Sequence, residues 1–267
     1  MGIPILILGE SGTGKSASMR NFKPDEVALA NVAGKPLPFK GKFNEVLNSD
    51  SYRLIKKFMK ECYANVVVID DAQYLMANEF MRRGSERGYD KFTEIAVNYW
   101  ELVNAVRELP EEKIVVFMSH IERDQNGNEK IKTIGKMLDE KITVEGMFAI
   151  VLKTSVSDGK FSFLTQNSGH DTVKSPIGLF EANEIDNDLK AVIYRIYNYY
   201  DLIPFDVSYK QEKPQEEVPV PTDKDVPVYD TEPDSEHLEP QPEQEQPKEE
   251  SEQPKEEPRK RRTRKTR

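Results

Sequence analysis

Eight consecutive residues near the start of the chain, Gly9-Glu10-Ser11-Gly12-Thr13-Gly14-Lys15-Ser16, are suited to holding phosphate. They fit the pattern G-x-x-x-x-G-K-[ST] in full. The glycines let the backbone wrap tightly, so several N–H groups converge on one anion. Lys15 adds a point charge that can reach β- and γ-phosphates, and Ser16 adds a hydroxyl for Mg²⁺. A helix is expected from about Lys15, with Ser16 and Ala17 in its first turn, and its N-terminus favours the same anion. Residues 9–17 are therefore expected to hold ATP together with Mg²⁺.

Two more polar groups close apolar runs. Val66-Val67-Val68-Ile69 ends in Asp70-Asp71. An acid at such a strand end can hold Mg²⁺ through its water shell, which is the role expected of Asp70. Asp71 is next in line to polarise an attacking water. Its rival role is to cap a helix starting at Ala72. Glu45 competes as the base, and Gln73 could orient the water. Ser119-His120 closes Lys113-Ile114-Val115-Val116-Phe117-Met118. Either side chain could touch the γ-phosphate, with His120 as a neutral donor that can charge near pH 7. A zinc role fits poorly, because His120, His170, His237 and the single Cys62 offer no ligand spacing.

These groups need a scaffold. Ile3-Pro4-Ile5-Leu6-Ile7-Leu8 reads as a buried parallel strand feeding the glycine loop. Further strands are expected over 27–32, 65–69, 113–118 and 147–152, with 161–164 pairing beside the last across Ser157-Asp158-Gly159. Helices are expected over 15–23, 51–61, 91–109 and 187–200, with Pro24 and Pro110 as stops. The alternation argues an α/β fold with a mostly parallel sheet and helices on both faces. Ligand groups then gather beyond the carboxyl ends of the strands. The glycine loop, Asp70-Asp71 and Ser119-His120 all fall there.

Composition divides the chain. Residues 1–210 suffice for one domain with a core. Residues 211–258 are dominated by Glu, Pro, Gln and Asp, and 212–257 carry 17 acids against 4 bases. This stretch has little to bury and is expected to be a disordered linker. Residues 259–267 form a tip with seven basic groups. The overall net charge of −9 thus hides a body of about −3. The tip could condense on DNA phosphates without reading sequence, and the acidic stretch could compete for the same surface. One cysteine excludes an internal disulfide framework. No segment has the apolar length of a membrane span and no signal-peptide layout opens the chain, so a cytoplasmic setting without membrane contact is expected.

Two weaker basic clusters are candidates for nucleic acid. Arg82 and Arg83 stand near Arg87, with Tyr89 and Phe92 available to stack on bases. Lys130 and Lys132 lie in the polar stretch Glu122–Thr133, which reads as a mobile functional loop. Lys153 or Lys174 could reach a neighbour's γ-phosphate in a ring or filament.

The sequence resembles phage-encoded P-loop ATPases of the RecA-like/AAA type, a group that includes phage nucleotide-binding proteins and AAA family ATPases. The resemblance runs through Ile5–Ser16, Asn31-Val32-Ala33-Gly34-Lys35-Pro36-Leu37-Pro38-Phe39 and Val66–Met76. It continues through Asn78-Glu79-Phe80-Met81, Lys132-Thr133-Ile134-Gly135-Lys136-Met137-Leu138 and Asp171-Thr172-Val173-Lys174-Ser175-Pro176. It covers nearly all of 1–205 and leaves out the acidic tail. It implies a RecA-like sheet, ATP binding and hydrolysis, homo-oligomers, and work on single-stranded DNA with phage recombination or replication proteins in a bacterial host's cytoplasm. The usual Asp-Glu ending is Asp70-Asp71 here. A P-loop small-molecule kinase and a nucleotide-dependent scaffold with little turnover are the other classes the sequence admits.

Overall fold

The computed structural model describes residues 1–202. The chain divides into two units, Met1–Ser208 and Tyr209–Arg267. The second unit lies outside the described residues, and with it the expected linker and basic tip.

Apolar, β-branched runs form the strands. They are β1 (Ile3–Gly9), β2 (Val27–Asn31), β3 (Glu45–Leu47), β4 (Val66–Asp70), β5 (Ile114–Arg123), β6 (Glu129–Ile131), β7 (Ile150–Ser157), β8 (Lys160–Leu164) and β9 (Glu184–Asp186). Their order is β3-β2-β4-β5-β1-β7-β8-β9, with β6 also pairing on β5. Pairs from β3 across to β7 are parallel. β6 on β5, β8 on β7 and β9 on β8 are antiparallel. The helices α1 (Tyr52–Glu61), α2 (Gln73–Arg82), α3 (Asp90–Ala105) and α4 (Leu189–Tyr199) flank this sheet.

Alternation along each strand builds two cores. Leu6 and Leu8 of β1, Val67 and Ile69 of β4, and Val115 and Phe117 of β5 pack with Ile55, Leu75, Tyr99 and Val103 of α1 to α3. Ile5, Ile7, Val66, Val68, Val116 and Met118 face the other way, toward Leu189, Val192, Ile193 and Ile196 of α4. Both faces of the central strands are covered, which is why these strands read as unbroken apolar runs.

Three expectations about elements are corrected. The helix after the glycine loop is a 3₁₀ helix of six residues, Ser16–Asn21. Ser18 Oγ donates back to the Lys15 carbonyl at 2.6 Å, a local bond that competes with regular helix, and Pro24 lies close ahead. β5 runs on past Ser119-His120 to Arg123, because β6 pairs with its extension. That hairpin takes up much of Glu122–Thr133, which is therefore a paired ribbon around the turn at Asp124–Asn128 and not an open loop. β7 begins at Ile150; Met147 closes a short 3₁₀ turn before it.

Candidate functional site

The carboxyl end of β1 delivers the glycine loop to the middle of the sheet, between β5 and β7. Gly12 and Gly14 have φ of 79° and 94°, values a side chain resists. Gly9 is required for a second reason: a Cβ there would overlap the Thr154 hydroxyl. Thr13 Oγ1 donates to the Glu10 carbonyl at 2.8 Å, closing the loop on itself. Ser11 lines an adjoining cleft, and Ala17 offers its carbonyl to Arg20 at 3.2 Å. Lys15 is 6 % exposed, and its Nζ donates to the carbonyls of Gly9 at 2.9 Å and Glu10 at 2.7 Å. Burial lowers its pKa, while Asp71 and Asp70 pull the other way. The ammonium therefore rests on its own loop, where a phosphate would offer a stronger, charged acceptor.

β4 brings the acids to the same end. Ser16 Oγ donates to Asp70 Oδ1 at 2.9 Å. Burial raises the Asp70 carboxyl above its usual range, and the Ser16 hydrogen bond opposes that rise. Asp71 has a left-handed backbone, φ 58°. Its side chain does not cap α2, whose start at Ala72 has no side-chain hydrogen bond. Instead Asp71 Oδ2 accepts from Lys35 Nζ at 2.8 Å, and His120 Nε2 stands 3.5 Å from Oδ1. His120 also packs edge-on against the Tyr74 ring, centroids 6.3 Å apart. Its pKa is lowered by burial and then by the Lys15 charge, with Asp71 opposing, so it is held toward the neutral form.

A cleft of about 280 Å³ opens beside the loop, lined by Glu10, Ser11, Gln73, Tyr74, His120 and Lys132 among others. Gln73 is buried; its Oε1 accepts from the His120 backbone at 3.2 Å, while Nε2 has no partner among the described residues. Across the cleft Arg123 ties Glu10 of the loop at 3.2 Å to Glu129 of β6 at 3.1 Å.

Other expected groups are elsewhere. Ser119 is fully buried on the face it shares with Phe117, next to Tyr99 of α3, and does not face the glycine loop. The strand alternation that sends His120 toward Asp71 sends Ser119 away. Glu45 lies away from the glycine loop. It starts β3 at the amino ends of the strands and accepts from the Tyr63 and Ala64 N–H groups at 3.0 Å. Arg82 pairs with Asp50, and Arg83 with Glu79, Glu86 and Glu94. Lys130 lies in β6, 3.8 Å from Glu122. Lys132 is exposed at the cleft. Lys153 is held by Glu129 at 2.7 Å and Asp171 at 3.4 Å within its own chain. Lys174 is exposed, its backbone bridging Val151.

Three members of the site escaped the sequence as individual residues: Lys35, Arg123 and Thr154. Lys35 sits in the glycine- and proline-punctuated loop after β2, where a lone lysine carries no local signal. Thr154 and Arg123 reach the loop only through strand pairing.

Among the described residues no three His, Cys, Asp or Glu gather as a metal cage. A hydroxyl and one carboxylate beside a phosphate cradle nevertheless form the donor set that suits Mg²⁺, which keeps waters and takes its remaining oxygens from substrate. Ser16 and Asp70 fit that ion. Among the described residues no helix is long and apolar enough to cross a membrane. No protein-family model matches this chain, and no curated protein matches it.

Proposed function

We propose that this chain is a P-loop NTPase of the RecA-like/AAA type that binds ATP with Mg²⁺ and hydrolyses it to ADP and phosphate. The observation that carries the reading is the Ser16–Asp70 hydrogen bond of 2.9 Å. It joins the last residue of the phosphate motif to the acid ending β4, the two groups the chemistry needs on one metal ion. Ser16 and Asp70 would hold Mg²⁺, which when bound neutralises phosphate charge. Lys15 would exchange its two loop carbonyls for β- and γ-phosphate oxygens. Asp71 would accept the proton of the attacking water, and neutral His120, its backbone held by Gln73 Oε1, would donate beside the γ-phosphate.

Phosphate release with Mg²⁺ and ATP tests this. Lys15→Ala should keep the fold and lose most affinity or turnover. A Lys15→Ala variant with wild-type affinity and turnover would overturn the reading. Binding without turnover would favour the scaffold, and phosphate moved to an acceptor would favour a kinase using the cleft. Coupling to phage DNA recombination or annealing is the further role the resemblance suggests. It calls for turnover stimulated by single-stranded DNA, in a particle whose mass rises with nucleotide. Arg82 and Arg83 would then have to leave their carboxylates to contact a backbone, so the exposed Lys132 is the more accessible cation of that set.

A further inference from the structure

Two lysines face the acids of this site, and they are held differently. Lys15 is buried, with its ammonium on two backbone carbonyls. Lys35 has a side chain 59 % exposed, and its ammonium lies on one carboxylate oxygen, Asp71 Oδ2, at 2.8 Å. It stands 5.0 Å over the Tyr74 ring. Its root is fixed: Asn31 Nδ2 donates to the Lys35 carbonyl at 2.7 Å, and Gly34 turns the chain at φ 64°. The stem and head are thus the movable part. With His120 Nε2 on the other oxygen, both oxygens of Asp71 face a nitrogen. Lys35 thus takes an acceptor site of Oδ2, and its departure frees that site for a water. Lys35 is also close enough for its charge to act on both Lys15 and His120, groups that border the phosphate cradle.

We propose that Lys35 is a γ-phosphate ligand: in the nucleotide-free protein it rests on Asp71, and an arriving γ-phosphate draws it off and opens Asp71 Oδ2. This rests on the ATP reading above. The exchange is favourable in direction. The lysine end of the pair is exposed, and a terminal phosphate offers it more charge and more acceptor oxygens than the single Asp71 oxygen it holds now. The ammonium on a flexible four-carbon stem, with three donors, suits such a move. The consequence is discrimination, since ADP lacks the group that would attract Lys35.

Calorimetric titration of the wild type, Lys35→Ala and Lys35→Arg with Mg·ADP and with Mg·β,γ-imido-ATP tests the proposal. Lys35→Ala should weaken the γ-phosphate-bearing analogue by about tenfold and ADP by no more than about twofold. Lys35→Arg should recover part of the loss. Equal changes for both nucleotides, or none, would overturn the proposal while leaving the ATP reading in place. A wild type that binds neither nucleotide would instead overturn the ATP reading itself. Asp71→Ala separates the roles further. It should leave the preference for the analogue intact or increase it, and loss of that preference would show that Lys35 merely braces Asp71.

Discussion

Thr13 Oγ1 and Thr154 Oγ1 share a hydrogen bond of 2.6 Å across 141 residues of chain. Thr154 is buried in β7 and also lies 3.2 Å from the Leu8 carbonyl. The shape of the glycine loop thus depends on a strand encoded far from it. Thr154→Val keeps the volume and removes the hydroxyl. It should cost about 1 kcal/mol of stability and weaken nucleotide binding several-fold, because the loop loses its anchor. Chemical denaturation and titration with Mg·ADP check the two effects separately.

Asp70→Asn should make the protein more stable and less able to bind nucleotide with Mg²⁺. Burial raises the Asp70 carboxyl, so its ionised form is disfavoured in the fold. A raised acid favours folding only below its unfolded pKa, and that contribution is lost as pH rises through the folded value. An amide oxygen in place of Oδ1 can still accept from Ser16 Oγ and from the Asp71 N–H, at 2.9 and 3.1 Å in the wild type. The variant should melt higher than the wild type at neutral pH. The gain should vanish in acid, where Asp70 is protonated. Melting curves from pH 3 to 8 are the check.

His120 should titrate below the ordinary histidine value in the nucleotide-free protein, since burial and the Lys15 charge both oppose protonation. Lys15→Ala removes one of these causes and should move the titration upward. Imidazole resonances followed by NMR across pH 5–8 would show it. A titration unmoved by Lys15→Ala would leave burial, with the Lys35 and Lys132 charges, as the cause.

Deleting Arg259–Arg267 should weaken binding to single-stranded DNA if the basic tip holds phosphates. The log–log salt slope should then shrink by about 0.7 for every phosphate the tip had neutralised. Affinity measured over a salt series reads this directly. An unchanged slope would move attention to Lys132 and Lys130.

Much of this site was legible because its parts are short and local. The apolar run ending in Gly9 and the run ending in Asp70 name both their strands and the end of each where the polar groups gather. Asp71 could be placed at the site for the same reason, by adjacency. The failures came where pairing decides. Nothing local to Glu45 says that it opens an edge strand at the opposite end of the sheet. Ser119 and His120 are neighbours in sequence, yet the two-residue period of β5 turns one into the α3 core and the other toward Asp71. The hairpin β5–β6 was hidden because polar residues such as Glu122 and Lys130 can form a surface ribbon as readily as a loop. Lys35 depended on how the loop after β2 folds over the acids, a long-range relationship without a local periodicity.

The left-handed backbone of Asp71 has a consequence for lineages. An aspartate at φ 58° carries a small backbone penalty, and glycine at the same position would carry none. Asp71→Gly is a single-nucleotide change from either aspartate codon. It would relax the turn into α2 while discarding the partner of Lys35 and His120. A lineage freed from the need for turnover should lose Asp71 early and keep its fold, whereas one under selection should hold this residue against a persistent mutational drift toward comfort.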